Sequence, residues 1–344
     1  MGTKGYHSYS GRGSRGKVAL VVVLVLILLG ACTYLFLQPY VVYEDDGSIR
    51  LELPFLEKAE EEAPPEELPV VKEEDIHREE GKPQLPPKTE LKVMGATELP
   101  YGVLNADPTE VMKGQKAVVV NLKRFDGSFT YRTDLKLPEG VLQGNKDTTE
   151  NLQKILSGKA YTVARVSALC DIAYAAAEPD SAIRWEGGST WVDYYDRNWL
   201  DPKSPETKAY LCDLAKECAQ LGFDELLLDH FRYPIEGDLT GTTVKEKTDR
   251  VKAIHDLTAA IHEAAPTLNV SIVLPGSLDT EAAFRLSGLT AKNLEEDFDR
   301  IYVPIESEAY YWLDETLPES YDRDKKLVLT TSAPTDSGSY LIAQ

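Results

Sequence analysis

The C-terminal two thirds of the chain alternates apolar segments typical of β-strands with amphipathic segments typical of helices. Residues 117–122 (AVVVNL) and 225–231 (ELLLDHF) contain the apolar runs of strands that are buried on both faces. Between them, residues 205–221 carry apolar side chains at helical spacing, after Ser204 as an N-cap and before Gly222 as a stop. This alternation predicts a parallel sheet covered by helices.

Further segments repeat the same unit until eight strands are counted. Helices are predicted over residues 148–157 and 244–265, and a weak first strand over residues 101–104. The remaining predicted strands span residues 161–169, 269–274, 300–305, 326–330 and 340–343. Eight strand and helix units in one domain of this size favour an α/β fold of the TIM (β/α)8 barrel type, which we assign to residues 91–344.

The N-terminal region predicts a membrane anchor. Residues 18–37 form a twenty-residue run without charge, which is long enough to span the hydrocarbon core as a helix. Residues 1–17 are basic and acidic residues follow the run, so the positive-inside rule places the N-terminus in the cytoplasm and the C-terminal domain outside the cell membrane. A cleaved signal peptide and a lipoprotein modified at Cys32 are the alternatives.

The segment between anchor and barrel has its own composition. Residues 44–90 hold sixteen acidic residues, six basic residues and seven prolines, with only short apolar clusters. Such a segment cannot bury enough apolar surface to offset its chain entropy, so we expect a disordered, extended linker. With 37 basic against 57 acidic residues, the chain has a net charge of −20, which argues against nucleic acid as a partner.

In a barrel of this type the chemistry lies at the C-terminal ends of the strands. Asp229 directly follows an apolar strand and precedes Arg232, so this carboxylate is the sharpest candidate for a catalytic group. A carboxylate at a buried strand end needs a donor or a substrate to offset its desolvation. A structural pair between Asp229 and Arg232 is the alternative interpretation.

Several motifs resemble a bacterial family of predicted glycosyl hydrolases that is distantly similar to the alpha-amylase clan. The resemblance rests on residues 199–202 (WLDP), residues 221–225 (LGFDE) and residues 228–234 (LDHFRYP), and it covers roughly residues 95–344. Two further family elements are matched. One is matched by residues 119–131 (VVNLKRFDGSFTY), and the other by residues 164–166 (ARV) followed by Asp171. The resemblance implies a TIM barrel that acts on polysaccharide or cell-wall glycan.

Carried over residue by residue, the resemblance makes Asp229 the nucleophile or a stabilising carboxylate. Its other matching positions are expected to contact or orient substrate, and these are Lys123, Arg165, Asp171, Trp191, Trp199 and Arg232. Three acidic positions of the family are changed in this chain, to Asn121, Arg124 and Val273.

Glycoside hydrolysis ordinarily needs a second carboxyl group. Glu306, just after the sixth strand, is the best candidate, with Asp126 and Asp171 behind it. No cofactor and no metal site are expected, because the histidine and cysteine spacings match no metal motif. A polysaccharide deacetylase is disfavoured for the same reason. The competing hypothesis is a degenerate barrel that serves as a glycan-binding or cell-envelope scaffold module.

Overall fold

The computed structural model describes residues 41–43, 49–51, 87–244 and 249–343. The chain divides into two compact units, residues 1–81 and residues 82–344. In the first unit Val41–Tyr43 pairs antiparallel with Ile49–Leu51, so the region predicted as a linker contains one short strand. Among the described residues no helix has the length and apolar character needed to cross a membrane. The predicted anchor at residues 18–37 lies outside them.

The second unit is a closed barrel of eight parallel strands, which confirms the predicted architecture. The strands follow one another around the barrel in chain order, and the last pairs with the first. They are β1 (Gly95–Glu98), β2 (Ala117–Lys123), β3 (Tyr161–Ser167), β4 (Glu225–Asp229), β5 (Asn269–Val273), β6 (Arg300–Pro304), β7 (Leu327–Thr331) and β8 (Ser339–Ile342).

Helices lie in five of the seven segments between the strands; the segments between β1 and β2 and between β7 and β8, both described in full, contain no α-helix. The helices are α1 (Lys146–Leu156), α2 (Ile172–Ala177), α3 (Pro205–Leu221), α4 (Arg250–Ala264), α5 (Glu281–Ser287), α6 (Ala291–Asp297), α7 (Glu308–Thr316) and α8 (Arg323–Lys326). The predicted caps of α3 are confirmed, because the Ser204 side chain accepts from the Thr207 amide and Gly222 adopts a left-handed φ of 96°. Glycine tolerates this conformation without a steric cost.

Two predicted boundaries are wrong. The first strand is β1 at Gly95–Glu98, whereas residues 101–102 form a turn that leads into a 3₁₀ helix at Val103–Asn105. The β1 sequence, GATE, has no apolar run to mark it as a strand. Helix α4 begins at Arg250 rather than at residue 244, because the Asp249 side chain caps it by accepting from the Lys252 amide.

The barrel interior is layered. Its middle is filled by buried side chains from seven of the strands, namely Ala96, Val119, Val163, Leu227, Tyr302, Val328 and Leu341. Towards the N-terminal ends of the strands, a fully buried Glu225–Arg300 ion pair closes the interior. The Tyr161 and Tyr302 hydroxyls donate to the Glu225 carboxylate, each at 2.8 Å. Every charge in this layer is therefore matched, as a dry interior requires.

The C-terminal layer follows from the period of two in a strand. Two residues beyond Ala96, Val119, Val163 and Leu227 along their strands stand four polar side chains, namely Glu98, Asn121, Arg165 and Asp229. Four consecutive strands, β1 to β4, thus turn polar groups towards the centre of the barrel at its C-terminal end. We call these four residues the mouth cluster.

Candidate active site

Asp229 ends β4 in the mouth cluster and is bound by an arginine from the neighbouring strand. The Arg165 guanidinium donates to Asp229 Oδ2 from Nη2 at 2.6 Å and from Nε at 3.2 Å. The other carboxylate oxygen, Oδ1, accepts from the His230 amide at 2.8 Å. The Asp229 side chain keeps 20% of its surface exposed, so the carboxylate is held firmly but stays reachable from the mouth.

A second carboxylate, Glu98 on β1, lies on the other side of the same guanidinium. Arg165 Nη1 donates to Glu98 Oε1 at 2.9 Å, and Asn121 Nδ2 donates to the same oxygen at 2.8 Å. The Glu98 side chain is 9% exposed. Sequence reasoning missed this residue because it placed the first strand too late. The alternation of Met94, Ala96 and Glu98 before the turn was the signal that could have identified it.

The electrostatics of the cluster keep Asp229 ionised. Burial opposes ionisation of this carboxyl, but the His230 ring and the Arg165 guanidinium outweigh burial and lower the pKa of Asp229 below its ordinary value. Burial likewise opposes the charge on Arg165, yet Asp229 and Glu98 raise the pKa of the guanidinium above its ordinary value. Asp229 is therefore an anion at neutral pH, which suits a nucleophile or a stabilising carboxylate rather than a proton donor.

His230 follows Asp229 in a conformation that few non-glycine residues adopt, with φ at 52°. Its Nδ1 lies 3.1 Å from Ser167 Oγ, and that hydroxyl donates to the Cys170 carbonyl. Nδ1 must therefore carry the proton, which leaves Nε2 as an acceptor. Burial lowers the pKa of His230 despite the nearby Asp229 carboxylate, so the ring is neutral at neutral pH and acts on Asp229 as a positive charge only in the acid range.

Glu306 lies two residues after β6 and its side chain is exposed. Its φ of 57° also falls in the left-handed region. Such conformations cost roughly 1–3 kcal/mol and cluster at functional sites. Within the described part of the chain, no hydrogen bond or ion pair holds the Glu306 carboxylate. Strands β4 and β6 are thus each followed, within two residues, by a residue in the left-handed region.

Lys123 and Asp171, which are both predicted to contact substrate, form an ion pair inside the protein. Lys123 Nζ lies 2.8 Å from Asp171 Oδ2, and both side chains are fully buried. Asp171 also caps α2 by accepting from the Tyr174 amide, and the Tyr210 hydroxyl donates to it at 3.2 Å. The strand pairing of β2 shifts register just before Lys123, which turns this lysine out of the mouth cluster.

The two predicted tryptophans and Arg232 are also buried. Trp191 donates to the Asp238 carbonyl and Trp199 to the Asp193 carboxylate. Arg232 makes two hydrogen bonds to the Glu236 carboxylate, not to Asp229 as the alternative interpretation of the sequence held. The geometry therefore gives these three side chains a structural part in the loops after β3 and β4. Of the predicted substrate-contacting residues, Arg165 alone belongs to the mouth cluster.

Exposed aromatic side chains collect on the segments that follow strands. In the described part of the chain these are Tyr101, Phe125, Trp185, Tyr194, Tyr195 and Tyr311. All six lie on segments that leave the C-terminal end of a strand, which is the end that carries the mouth cluster. Exposed aromatic faces suit stacking against the apolar faces of sugar rings.

A cavity of about 250 Å³ opens beside the mouth cluster. Asn121 lines it together with Tyr101, Arg124 and Asp126 from the segments after β1 and β2. Arg124 Nη1 donates to the Tyr101 hydroxyl at 3.0 Å. A wider cavity of about 700 Å³ lies among the segments after β3 and β4, and neither mouth carboxylate lines it. Among the described residues, no group of three or more His, Cys, Asp or Glu side chains could hold a metal ion.

Comparison with known proteins confirms the resemblance inferred from the motifs. Residues 110–277 match a family model described as "Putative glycosyl hydrolase domain". The matched segment contains β2 to β5 and therefore Asn121, Arg165 and Asp229, whereas Glu98 and Glu306 lie outside it. No curated protein matches the chain.

The solved structures to which the chain is similar include three of different origin. A hypothetical protein from Ruminiclostridium thermocellum is 23% identical over 51% of this chain and 96% of its own, with a TM-score of 0.42. Aspergillus fumigatus Ega3, solved in complex with galactosamine, is 12% identical over 70% of this chain and 78% of its own, with a TM-score of 0.39. An alpha-amylase from Lactobacillus plantarum is 11% identical over 73% of this chain and 70% of its own, with a TM-score of 0.45.

Proposed function

We propose that this chain, whose residues 110–277 match the glycosyl hydrolase domain, hydrolyses polysaccharide with Asp229 as its nucleophile or stabilising carboxylate. The observation that carries the proposal is the Asp229 carboxylate at the C-terminal end of β4, which pairs with Arg165 inside a closed barrel and is still partly exposed. Barrels of this type place their chemistry at that end. An oxocarbenium-like transition state at the mouth would be stabilised by this negative charge.

Glu306 is the proposed proton donor. It follows β6 on the same end of the barrel, its side chain is exposed, and no described partner holds it. A donor has to approach the glycosidic oxygen and exchange its proton with water, and an unpaired exposed carboxyl can do both. Glu98 suits this role less well, since two hydrogen-bond donors converge on its Oε1 atom.

The substrate class follows from the surface around the mouth. The six exposed aromatic side chains lie on the segments after four different strands, β1, β2, β3 and β6, so they suit a chain of sugars rather than a single monosaccharide. The N-terminal sequence supports a location at the outer side of the cell membrane, with residues 18–37 as the proposed anchor and the acidic segment as the proposed linker. Polysaccharide or cell-wall glycan is therefore the proposed substrate.

One observation favours a second candidate function, a barrel that binds glycan without cleaving it. Arg165 engages both mouth carboxylates, and three acidic positions of the family are occupied by Asn121, Arg124 and Val273. A pair of carboxylates whose negative charge is reduced by one shared guanidinium has lower reactivity for hydrolysis, while it still offers hydrogen bonds to sugar hydroxyls.

A panel of polysaccharides incubated with the full-length protein separates the two functions. Reducing ends should appear with the wild-type protein and be lost in Asp229→Asn. Glu306→Gln should lower kcat by roughly 10²–10⁴-fold, the range of a general acid. Glu308→Gln is the matched control, because it removes an exposed carboxylate only two residues away, and it should leave the rate unchanged.

Two outcomes contradict parts of this proposal. Equal release of reducing ends by wild-type protein and Asp229→Asn removes the catalytic assignment of Asp229. Retention of a polysaccharide by wild-type protein without any release of reducing ends favours the binding module. The anchor has a separate test: the full chain should sediment with membranes, and a variant that lacks residues 18–37 should not.

A further inference from the structure

Glu98 is the mouth carboxylate that the sequence did not reveal, and its contacts give it a role different from that of Asp229. Its Oε1 atom accepts from Arg165 Nη1 on β3 and from Asn121 Nδ2 on β2. Arg165 in turn reaches Asp229 through its other two nitrogens. One planar guanidinium therefore uses all three of its nitrogens to bridge carboxylates from β1 and β4.

We propose that Glu98 is a positioning residue that fixes the Arg165 guanidinium against Asp229 and takes a share of its positive charge. The proposal rests on the proposed hydrolysis. A guanidinium donates along fixed directions in one plane. Anchoring Nη1 at Glu98 therefore sets where Nη2 and Nε can meet Asp229. The side chain of Glu98 is almost covered, so its neighbours hold it in place.

The shared charge determines over which pH range Asp229 stays ionised. The charged and titratable groups that face Asp229 are Glu98 from β1, Arg165 from β3 and His230 after β4, and Asn121 from β2 is neutral. Arg197 pairs with Asp193 and Arg232 pairs with Glu236, and neither arginine forms an ion pair with Asp229 among the described residues.

The negative charge of Glu98 opposes the effect of Arg165 on Asp229. Removing it leaves the full guanidinium charge to Asp229, so the pKa of Asp229 should fall. An opposite charge within about 4–6 Å shifts a carboxyl pKa by about 1–3 units. Because Glu98 acts across the guanidinium, we expect the low end of that range, about one unit.

The first test replaces Glu98 with glutamine in the full-length protein. Glu98→Gln keeps an oxygen that can accept from Arg165 but removes the negative charge. The pKa of Asp229 is followed by NMR of protein labelled with ¹³C at the aspartate carboxyl carbon, and Asp229→Asn identifies its signal. The pKa should fall by about one unit, and the acid limb of kcat/KM should move to lower pH by the same amount.

A control and a second variant make the test specific. Glu150→Gln removes an exposed carboxylate that pairs with Lys146 on α1, and it should leave both the pKa and the acid limb unchanged. Glu98→Ala removes the acceptor as well as the charge, so kcat should fall by at least about tenfold. Glu98→Gln should restore part of that loss, which a merely structural defect would not predict.

The two proposals fail differently. An Asp229 pKa that stays within about 0.3 units in Glu98→Gln, or that rises, overturns the role of Glu98 whether or not the protein hydrolyses glycan. If the pKa falls as expected but the protein has no hydrolytic activity, the coupling of Glu98, Arg165 and Asp229 is supported. The missing activity then contradicts only the proposed hydrolysis. Equal kcat in Glu98→Ala and wild-type protein also overturns the positioning role.

Discussion

Replacing Asp171 with asparagine distinguishes the substrate-contacting role predicted from the sequence from the structural role indicated by the fold. In the structure the Asp171 carboxylate meets Lys123 Nζ at 2.8 Å, and neither side chain reaches solvent. It also accepts from the Tyr174 amide at the start of α2. Asparagine is as good an N-cap as aspartate, so Asp171→Asn keeps the cap and removes only the negative charge.

The expected loss of stability follows from the unpaired lysine. Removing one partner of a buried ion pair costs about 3–5 kcal/mol, because the other charge stays buried without compensation. The asparagine oxygen can still accept one hydrogen bond from Lys123, which places the loss near 3 kcal/mol. At about 2–4 °C per kcal/mol for a domain of this size, the Tm should fall by about 6–12 °C.

Urea unfolding and thermal melting of the full-length protein measure this loss. Asp249→Asn is the matched control, since Asp249 caps α4 in the same way from an exposed position, and it should change stability by less than about 0.5 kcal/mol. Adding Lys123→Met to Asp171→Asn removes the orphaned charge and should recover at least about 1 kcal/mol. A Tm of Asp171→Asn within about 2 °C of wild type, together with a raised KM, would refute the structural interpretation and support substrate contact.

Three further predictions concern charges inside the barrel. Glu225→Gln should leave Arg300 unpaired and lower the free energy of unfolding in urea by about 3–5 kcal/mol. An unchanged urea midpoint would show that the Glu225–Arg300 ion pair is not needed for stability. Because the folded pKa of Asp229 is depressed, this group stabilises the fold above about pH 4 and loses that effect as pH falls through the folded pKa. Asp229→Asn should therefore have a shallower acid-side fall in Tm than wild type, and parallel curves would refute this. Asn121→Asp places a second carboxylate next to Glu98 Oε1, and the repulsion should raise the pKa of one of the two acids. The Tm of this variant should therefore fall further below that of wild type at pH 8 than at pH 4. The reverse order would show that Arg165 compensates the added charge.

Most of the barrel could be predicted from local sequence patterns. The β2 and β4 runs are apolar because both faces of a barrel strand are buried, and α3 has an N-cap and a glycine stop at its ends. The exception is β1, where Gly95–Glu98 contains no apolar run. Its place is fixed by pairing with β2 and β8, which is long-range information that a four-residue segment does not carry.

The candidate site was predicted less completely, because the sequence does not show in which direction a side chain points. Asp229 could be identified because a carboxylate directly after a buried strand has few structural explanations. Lys123 and Trp199 match the resemblance equally well, but a register shift and a long loop turn them into the protein. Residue type and spacing do not reveal such turns.

The sequence by itself determined that strands and helices alternate, that a carboxylate ends the fourth strand and that a basic tail precedes an uncharged run of membrane-spanning length. These features follow from burial and charge, which act on each segment separately. Only the tertiary structure decided that Glu98 and Asp229 share the Arg165 guanidinium, since closing the barrel brings β1 within reach of β4. It also decided that Lys123 and Asp171 neutralise each other, because a buried charge requires a partner that the chain supplies from a distant segment.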